Sequence, residues 1–208
     1  MDIIKARDSI EADVCELETI KEHFNGAEVV VHLAGEKRNN LDWDRLFRLN
    51  VHGTRNVYEA AAEAGVKKII FASTLHVHQM KSLFKSHKKI TEKTKLVSSN
   101  GYGLSKILGE RIGEDYHLKY GLDVINLRLG SVTKDNIPLK GDNGDYREIA
   151  LAHWLSHEDL MKIMNVCLRS KGLISVPCSS ANENALVDIE CIKKILNVTP
   201  SESSAKYL

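Results

Sequence analysis

The sequence predicts an α/β fold built on a parallel sheet, and three observations carry that expectation. Short β-branched or apolar runs recur at Glu28–Leu33, Lys67–Ala72 and Leu122–Leu129. Two long helical stretches, Val51–Ala64 and Tyr102–Tyr120, alternate with them, and each stops at a glycine. Strands alternating with helices of this length are the pattern of βαβ units.

The elements follow in order. Glu28-Val29-Val30-Val31-His32-Leu33 leaves almost no polar face, which suits a strand covered on both sides, and Ala34-Gly35 ends it. Ala60, Ala61, Ala62 and Ala64 favour helix, and Gly65 is a natural stop. Ile69-Ile70-Phe71 centres the second strand, Gly121 stops the second helix, and Leu-Asp-Val-Ile-Asn-Leu-Arg-Leu forms the third strand from Leu122. Lys134–Tyr146, with Pro138, Gly141 and Gly144, reads as a loop. Ser156 is a good N-cap for a helix whose first turn holds Glu158 and Asp159. Gly172–Val176 is a short strand and Val187–Leu196 a short helix; residues beyond Pro200 are expected to fray.

The bulk numbers exclude several classes. Of 208 residues, 43% are hydrophobic, enough for a real core. With 29 basic and 28 acidic side chains the net charge is +1, so nothing points to a nucleic acid partner. No apolar run approaches the roughly 18 residues of a membrane span, and Met1-Asp2-Ile3-Ile4-Lys5 opens no signal-peptide core. Cys15, Cys167, Cys178 and Cys191 show no CxxC spacing and fit reduced thiols in the cytoplasm. Lys81–Lys95 carries six lysines and reads as a solvated loop.

The chemistry centres on Tyr102 and Lys106. Four apart on a helix, they share a face, where the ammonium favours phenolate over phenol. A cation about 4 Å away is worth roughly 4 kcal/mol at an effective dielectric of about 20, enough to lower a tyrosine's pKa by a few units. A plain surface pair is the rival reading. Asn50 either caps the helix near Val51 or serves the site. Gly101-x-Gly103 reads as a flexible lead-in to the second helix rather than a dinucleotide loop, because Thr94–Asn100 is too polar for a buried strand. His153 and His157 lack the glutamate of a zinc-binding HExxH, and His76 and His78 lack a third ligand, so no metal is expected.

These residues, with others in order, resemble the extended short-chain dehydrogenase/reductases, also called NAD-dependent epimerase/dehydratases. The matching pieces are Ala12-Asp13-Val14, Val31-His32-Leu33-Ala34-Gly35, Asn50-Val51-His52-Gly53-Thr54, Phe71-Ala72-Ser73-Thr74 and Tyr102-x-x-x-Lys106 with Gly109-Glu110. The resemblance covers roughly Ala12 to Leu160. It implies a Rossmann-like core over residues 1–132, a small substrate-side lobe over 133–208, and a homodimer through Val51–Ala64 and Tyr102–Tyr120. It also implies cofactor contacts from Asp13, Val14, Leu33, Ala34, Gly35, Tyr102, Lys106 and Arg128. Catalysis falls to Tyr102, Lys106 and Thr74, with Ser73 as the fallback hydroxyl and Asn50 acting through backbone and water contacts.

Within the family the likeness runs to the uronate dehydrogenases. Arg128-Leu129-Gly130-Ser131, Tyr146-Arg147 and Trp154-Leu155-Ser156-His157-Glu158-Asp159 resemble their substrate-side segments. The implied substrate is a small sugar or sugar acid, held by Thr74, His76, Ser131 and Arg147. An arginine fork can take both oxygens of a carboxylate at once. A longer glycine-bearing loop between Ser131 and Arg147 departs from that pattern and leaves the position of Arg147 open. The alternatives are a nucleotide-sugar epimerase or dehydratase and a non-catalytic scaffold that keeps the core.

One family feature is missing. A dinucleotide fold brings Gly-x-x-Gly-x-x-Gly to the pyrophosphate on its first strand and helix. No such spacing occurs in these residues, and Asp13 already matches a point after the third strand. The expected sheet is therefore N-terminally truncated, without the first strand, first helix and second strand, and with one edge open. Three accounts fit: a start placed downstream of the true one, a partner chain that supplies the segment, or a remnant. The acid that separates NAD from NADP ends the second strand, so NAD is expected with NADP left open.

Overall fold

The computed structural model describes residues 9–37, 42–139 and 145–207. Met1–Lys5, and Gly141 and Gly144 of the predicted loop, lie outside the described residues. A four-stranded parallel sheet runs in the order β1 (Val29–His32), β2 (Lys68–Thr74), β3 (Asp123–Leu129), β4 (Leu173–Cys178). Val29 to His32 pair in register with Lys68 to Phe71. The helices are α1 (Leu17–Ile20), α2 (Trp43–Leu46), α3 (Gly53–Glu63), α4 (Met80–Lys85), α5 (Gly101–Tyr120), α6 (Asp145–Ala152), α7 (His157–Cys167) and α8 (Ile189–Leu196).

The chain divides into two units, one of residues 1–72, 100–126 and 171–174, the other of residues 73–99, 127–170 and 175–208. In the first, Ile20, Phe24, Val57, Tyr58, Ala60, Ala61, Ile69, Phe71, Tyr116 and Val124 form one apolar core. Each large apolar side chain so buried contributes about 1.5–3 kcal/mol. Helix α5 begins where Asn100 accepts a hydrogen bond from Gly103 N at 2.7 Å, and ends at Gly121, left-handed at φ 68°. It comes close enough to β2 that a Cβ on Gly109 would lie 2.6 Å from Phe71 Cζ.

The second unit is held by long-range backbone links. Ile90 bridges Val187, and Ser131 bridges Trp154. Trp154, Leu155, Ile163, Cys167, Val176 and Cys178 are fully buried there. Ser156 caps α7 as expected, accepting from Asp159 N at 3.0 Å.

Five expectations need correction. Asn50 caps no helix: the helical path starts at Trp43, capped by Asp42, and runs through a π-helical stretch, Phe47–His52, that contains Asn50. Gly101-x-Gly103 is no flexible lead-in but the first turn of α5, because Asn100 satisfies the amide of Gly103. Lys81–Lys95 is not all loop, since α4 occupies its first part and Ile90 is fully buried. The predicted loop ending at Tyr146 overlaps α6, which starts at Asp145. The residues beyond Pro200 do not fray: Ser204 is buried in a 3-10 turn, and Ser201 and Glu202 donate their amides to Asp159. A distant acceptor of that kind leaves no local trace in the sequence.

Gly113 tests how tightly α5 is seated. A Cβ there would lie 2.6 Å from Tyr58 Oη and 2.9 Å from Val124 Cγ1. Gly113→Ala should cost about 1–3 kcal/mol of stability through overpacking, read as a lower urea midpoint by circular dichroism. An unchanged midpoint would mean that α5 can lift off the core freely.

Candidate active site

The first unit gathers Gly35, Glu36, Asn50, Ser105 and Lys106. Asn50, 1% exposed, donates through Nδ2 to Glu36 O at 2.8 Å and Ser105 Oγ at 2.9 Å, and accepts from Glu36 N at 2.7 Å. Its side chain thus ties the segment after β1 to helix α5. Ser105 Oγ in turn donates a hydrogen bond to Tyr102 O at 2.7 Å. The π-helical setting of Asn50 widens the helix at this point, a distortion often found at functional sites.

A second chain of hydrogen bonds backs the first. Thr54 Oγ1 donates to Asn50 O at 2.6 Å and lies 3.0 Å from His32 Nε2. The threonine proton is already committed, so His32 Nε2 carries the hydrogen and donates. Burial, and then the charge of Lys106, push the His32 imidazole down to about 3, so it stays neutral.

Lys106 is the electrostatic centre. It is only 3% exposed, and its Nζ stands 4.8 Å from the centre of the Phe71 ring. Among the described residues no carboxylate pairs with it. A Cβ on Gly35 (φ 153°) would sit 3.3 Å from this ammonium and 3.1 Å from Asn50 Oδ1, so glycine keeps that approach open. Burial lowers the Lys106 pKa to about 8. Tyr102 is half-buried one turn earlier on the same helix. A desolvated ammonium beside open backbone fits the ribose and nicotinamide end of the expected dinucleotide.

The other predicted cofactor residues have structural partners. Asp13 Oδ1 accepts from Cys15 N at 2.9 Å, and its other oxygen lies 3.9 Å from Arg48 Nη2. Val14 packs where a Cβ on Gly53 would be 2.9 Å away, and its carbonyl accepts from Asn56. Leu33 is 69% exposed and Ala34 half-buried.

In the second unit Ser73 and Thr74 are buried at the end of β2, and Thr74 Oγ1 accepts from His76 N at 3.3 Å. Burial lowers the pKa of His76. Burial, then the charge of His76, lower that of His153 as well. Ser131 N donates to His153 O and its carbonyl accepts from Leu155 N, so Ser131 is held by backbone on both sides. Arg128 is buried in β3, whereas Arg147 is exposed on α6. His157 Nε2 lies 2.7 Å from Thr133 O, and His153 binds Ile149 O, so the two imidazoles serve separate backbone carbonyls. Among the described residues no cluster of three or more His, Cys, Asp or Glu could hold a metal.

Sequence reasoning missed Ser105, Thr54 and His32 as working parts. Thr54 stood inside the Asn50-x-x-x-Thr54 segment, and its spacing of four was the available signal. Ser105 gave none beyond being a polar residue between Tyr102 and Lys106.

Residues 3–150 match the NAD dependent epimerase/dehydratase family. L-arabinose 1-dehydrogenase (NAD(P)(+)) of Haloferax volcanii is 31% identical over 212 residues, taking in 95% of this chain and 84% of that protein. Uronate dehydrogenase of Pseudomonas putida is 26% identical over 178 residues, 86% of this chain and 62% of that protein. A solved mutated uronate dehydrogenase superposes on all of this chain and 72% of its own, with TM-score 0.83 and 25% identity.

The Lys106 environment generates a signed prediction. A lysine whose folded pKa falls from 10.5 to about 8 binds fewer protons folded than unfolded between those values. Its charge therefore costs stability fully below pH 8, and the cost fades as pH rises toward 10.5. Lys106→Met should raise stability at pH 7 by about 1–3 kcal/mol, with a smaller gain at pH 10. Urea denaturation at both pH values measures it; a loss of stability at pH 7 would contradict the unpaired ammonium.

Proposed function

The chain belongs to the NAD dependent epimerase/dehydratase family, and from that premise we propose that it oxidises a small sugar or sugar acid with NAD(P), using Tyr102 and Lys106 as proton relay. The observation that carries this reading is the buried Lys106 ammonium, one turn from Tyr102 with no carboxylate partner among the described residues.

The bound nicotinamide supplies the hydride acceptor. Tyr102, as phenolate, takes the proton from the hydroxyl oxygen, while the hydrogen on the carbon being oxidised would leave as hydride to that acceptor. Lys106 favours the phenolate and would hold the ribose. Asn50, through its bonds to Glu36 and Ser105, keeps the first turn of α5 and the segment after β1 in a fixed relation. Thr74 directs a hydrogen bond to the substrate oxygen, with Ser73 as the substitute. Ser131 and Arg147 hold a sugar carboxylate and His76 flanks it, while Arg128 serves the cofactor. Leu33, Ala34 and Gly35 would serve the ribose of the cofactor, and Asp13 and Val14 its adenine. The working division is a cofactor core over residues 1–132 and a substrate-side lobe over 133–208.

The names of the relatives support the substrate class, since one acts on an aldose and the other on a uronic acid. We place the protein in the cytoplasm on the strength of four buried free cysteines; no helix among the described residues is long and apolar enough to cross a membrane. Its partner is a second copy of itself, through α3 and α5. A groove of about 620 Å³ lined by Phe47, Val51, Leu108, Ile112, Tyr116 and Tyr120 lies on these helices and the π-helical stretch before α3, and Leu118 and Tyr120 of α5 are 76% and 59% exposed. Its rim alternates charge, with Arg55 beside Glu59 and Lys119 beside Asp115.

Two experiments bear on this. Calorimetric titration with NAD, then turnover with L-arabinose, glucuronic acid and UDP-glucuronic acid, tests activity and substrate class. Tyr102→Phe should lower kcat about 10²–10⁴-fold while NAD affinity holds; unchanged turnover would remove the relay, and turnover of the nucleotide sugar alone would favour the epimerase alternative. Leu118→Glu should convert a dimer to a monomer by light scattering, and a monomeric wild type would remove the dimer.

A further inference from the structure

Resting on the reading of Ser131 as a substrate contact, we infer that Ser201–Tyr207 is a strap that sets the Ser131–Ile137 loop, with Asp159 and Tyr207 as its positioning residues. The juxtaposition lies wholly within the second unit.

The strap is fastened at both ends. At its start, Ser201 N and Glu202 N donate to the two oxygens of Asp159, each at 3.0 Å. Asp159 has no exposed surface, and Ser180 Oγ gives it a third hydrogen bond at 2.7 Å. In the middle, Ser204 N donates to Asn182 Oδ1 and Ser204 Oγ to Leu151 O, both at 3.0 Å. At its end, Tyr207 Oη donates to Asn136 O at 3.1 Å, and the Tyr207 ring meets Trp154 edge-on with centroids 5.5 Å apart.

Each anchor leads to Ser131. Trp154 forms the bridge with Ser131. The carbonyl of Trp154 accepts from Asn182 Nδ2 at 2.8 Å and Ser180 N at 2.9 Å, the same two residues that meet the strap or its latch. Ser156 N also rests on Ser180 Oγ at 3.0 Å. On the far side of the loop, Asn136 receives His157 N on its Oδ1 at 2.8 Å, and it adopts a left-handed φ of 58°. Tyr207 therefore grips the one residue of the loop whose backbone is in that conformation. A buried carboxylate with three strong donors holds the start of the strap, and one phenol closes its end.

The consequence is specific to the substrate side. Releasing the strap frees the Ser131–Ile137 loop, and every residue that holds the strap belongs to the second unit. Two variants separate the possibilities: Tyr207→Phe, which keeps the ring and removes only the bond to Asn136, and a chain ending at Pro200. Hydrogen–deuterium exchange should show at least tenfold faster uptake across 131–137 in the shortened chain, with α3 unchanged. The KM for the sugar or sugar acid that the wild type turns over should rise about fivefold in Tyr207→Phe, with kcat and NAD affinity within twofold. Unchanged uptake at 131–137 overturns the strap, and faster uptake with unchanged KM overturns its positioning role. A wild type inactive on every sugar would strike the functional reading alone, while the exchange arm would still decide whether the strap holds the loop.

Discussion

The close seating of α5 against the first unit's core is the constraint on which the site depends. Gly109 and Gly113 leave no room for a Cβ against Phe71, Tyr58 and Val124, so the helix axis lies nearer the sheet than ordinary side chains allow. That approach is what buries Lys106 and sets its ammonium over Phe71. A helix standing farther out would leave the same lysine in water, with an ordinary pKa. Packing among small residues thus determines the electrostatics of Lys106.

Asn50 does for direction what the glycines do for distance. Its amide uses both donors and its oxygen on Glu36 and Ser105, so one side chain fixes the strand-following segment relative to the helix. Behind it, Thr54 donates to the Asn50 carbonyl and His32 holds Thr54, and the neutral state of His32 keeps a second cation away from Lys106. Buried polar networks are costly when half-satisfied; in this one both Asn50 donors and its side-chain oxygen have partners.

What the sequence could reveal follows the range of the interactions. Tyr102 and Lys106 were legible because one helical turn joins them, and the Ser156 cap because its partner lies three residues on. The strands were legible from their apolar runs, although β2 continues to Thr74 and so takes the candidate hydroxyls into the sheet. The pairing of Asn50 with Ser105 spans 55 positions, and that of Asp159 with Ser201 spans 42. Nothing local announces such partners, so the sequence left Asn50 open between a cap and a site residue, and the residues beyond Pro200 read as frayed. The π-helical stretch was equally invisible, since its residues favour an ordinary helix.

Two buried ionisable groups show how burial alone misleads. Asp159 has no exposed surface and accepts from Ser180 Oγ, Ser201 N and Glu202 N, with the Lys162 ammonium 3.3 Å away. Its desolvation is offset by hydrogen bonds, and the charge has become part of the architecture. Lys106 is buried almost as deeply, yet among the described residues no carboxylate pairs with it, its ammonium lies over the Phe71 ring at 4.8 Å, and burial lowers its pKa. The desolvation of Lys106 has no such set of hydrogen bonds to offset it among the described residues. Satisfaction, not depth, separates these two buried charges: three donors hold Asp159, while burial alone lowers the pKa of Lys106.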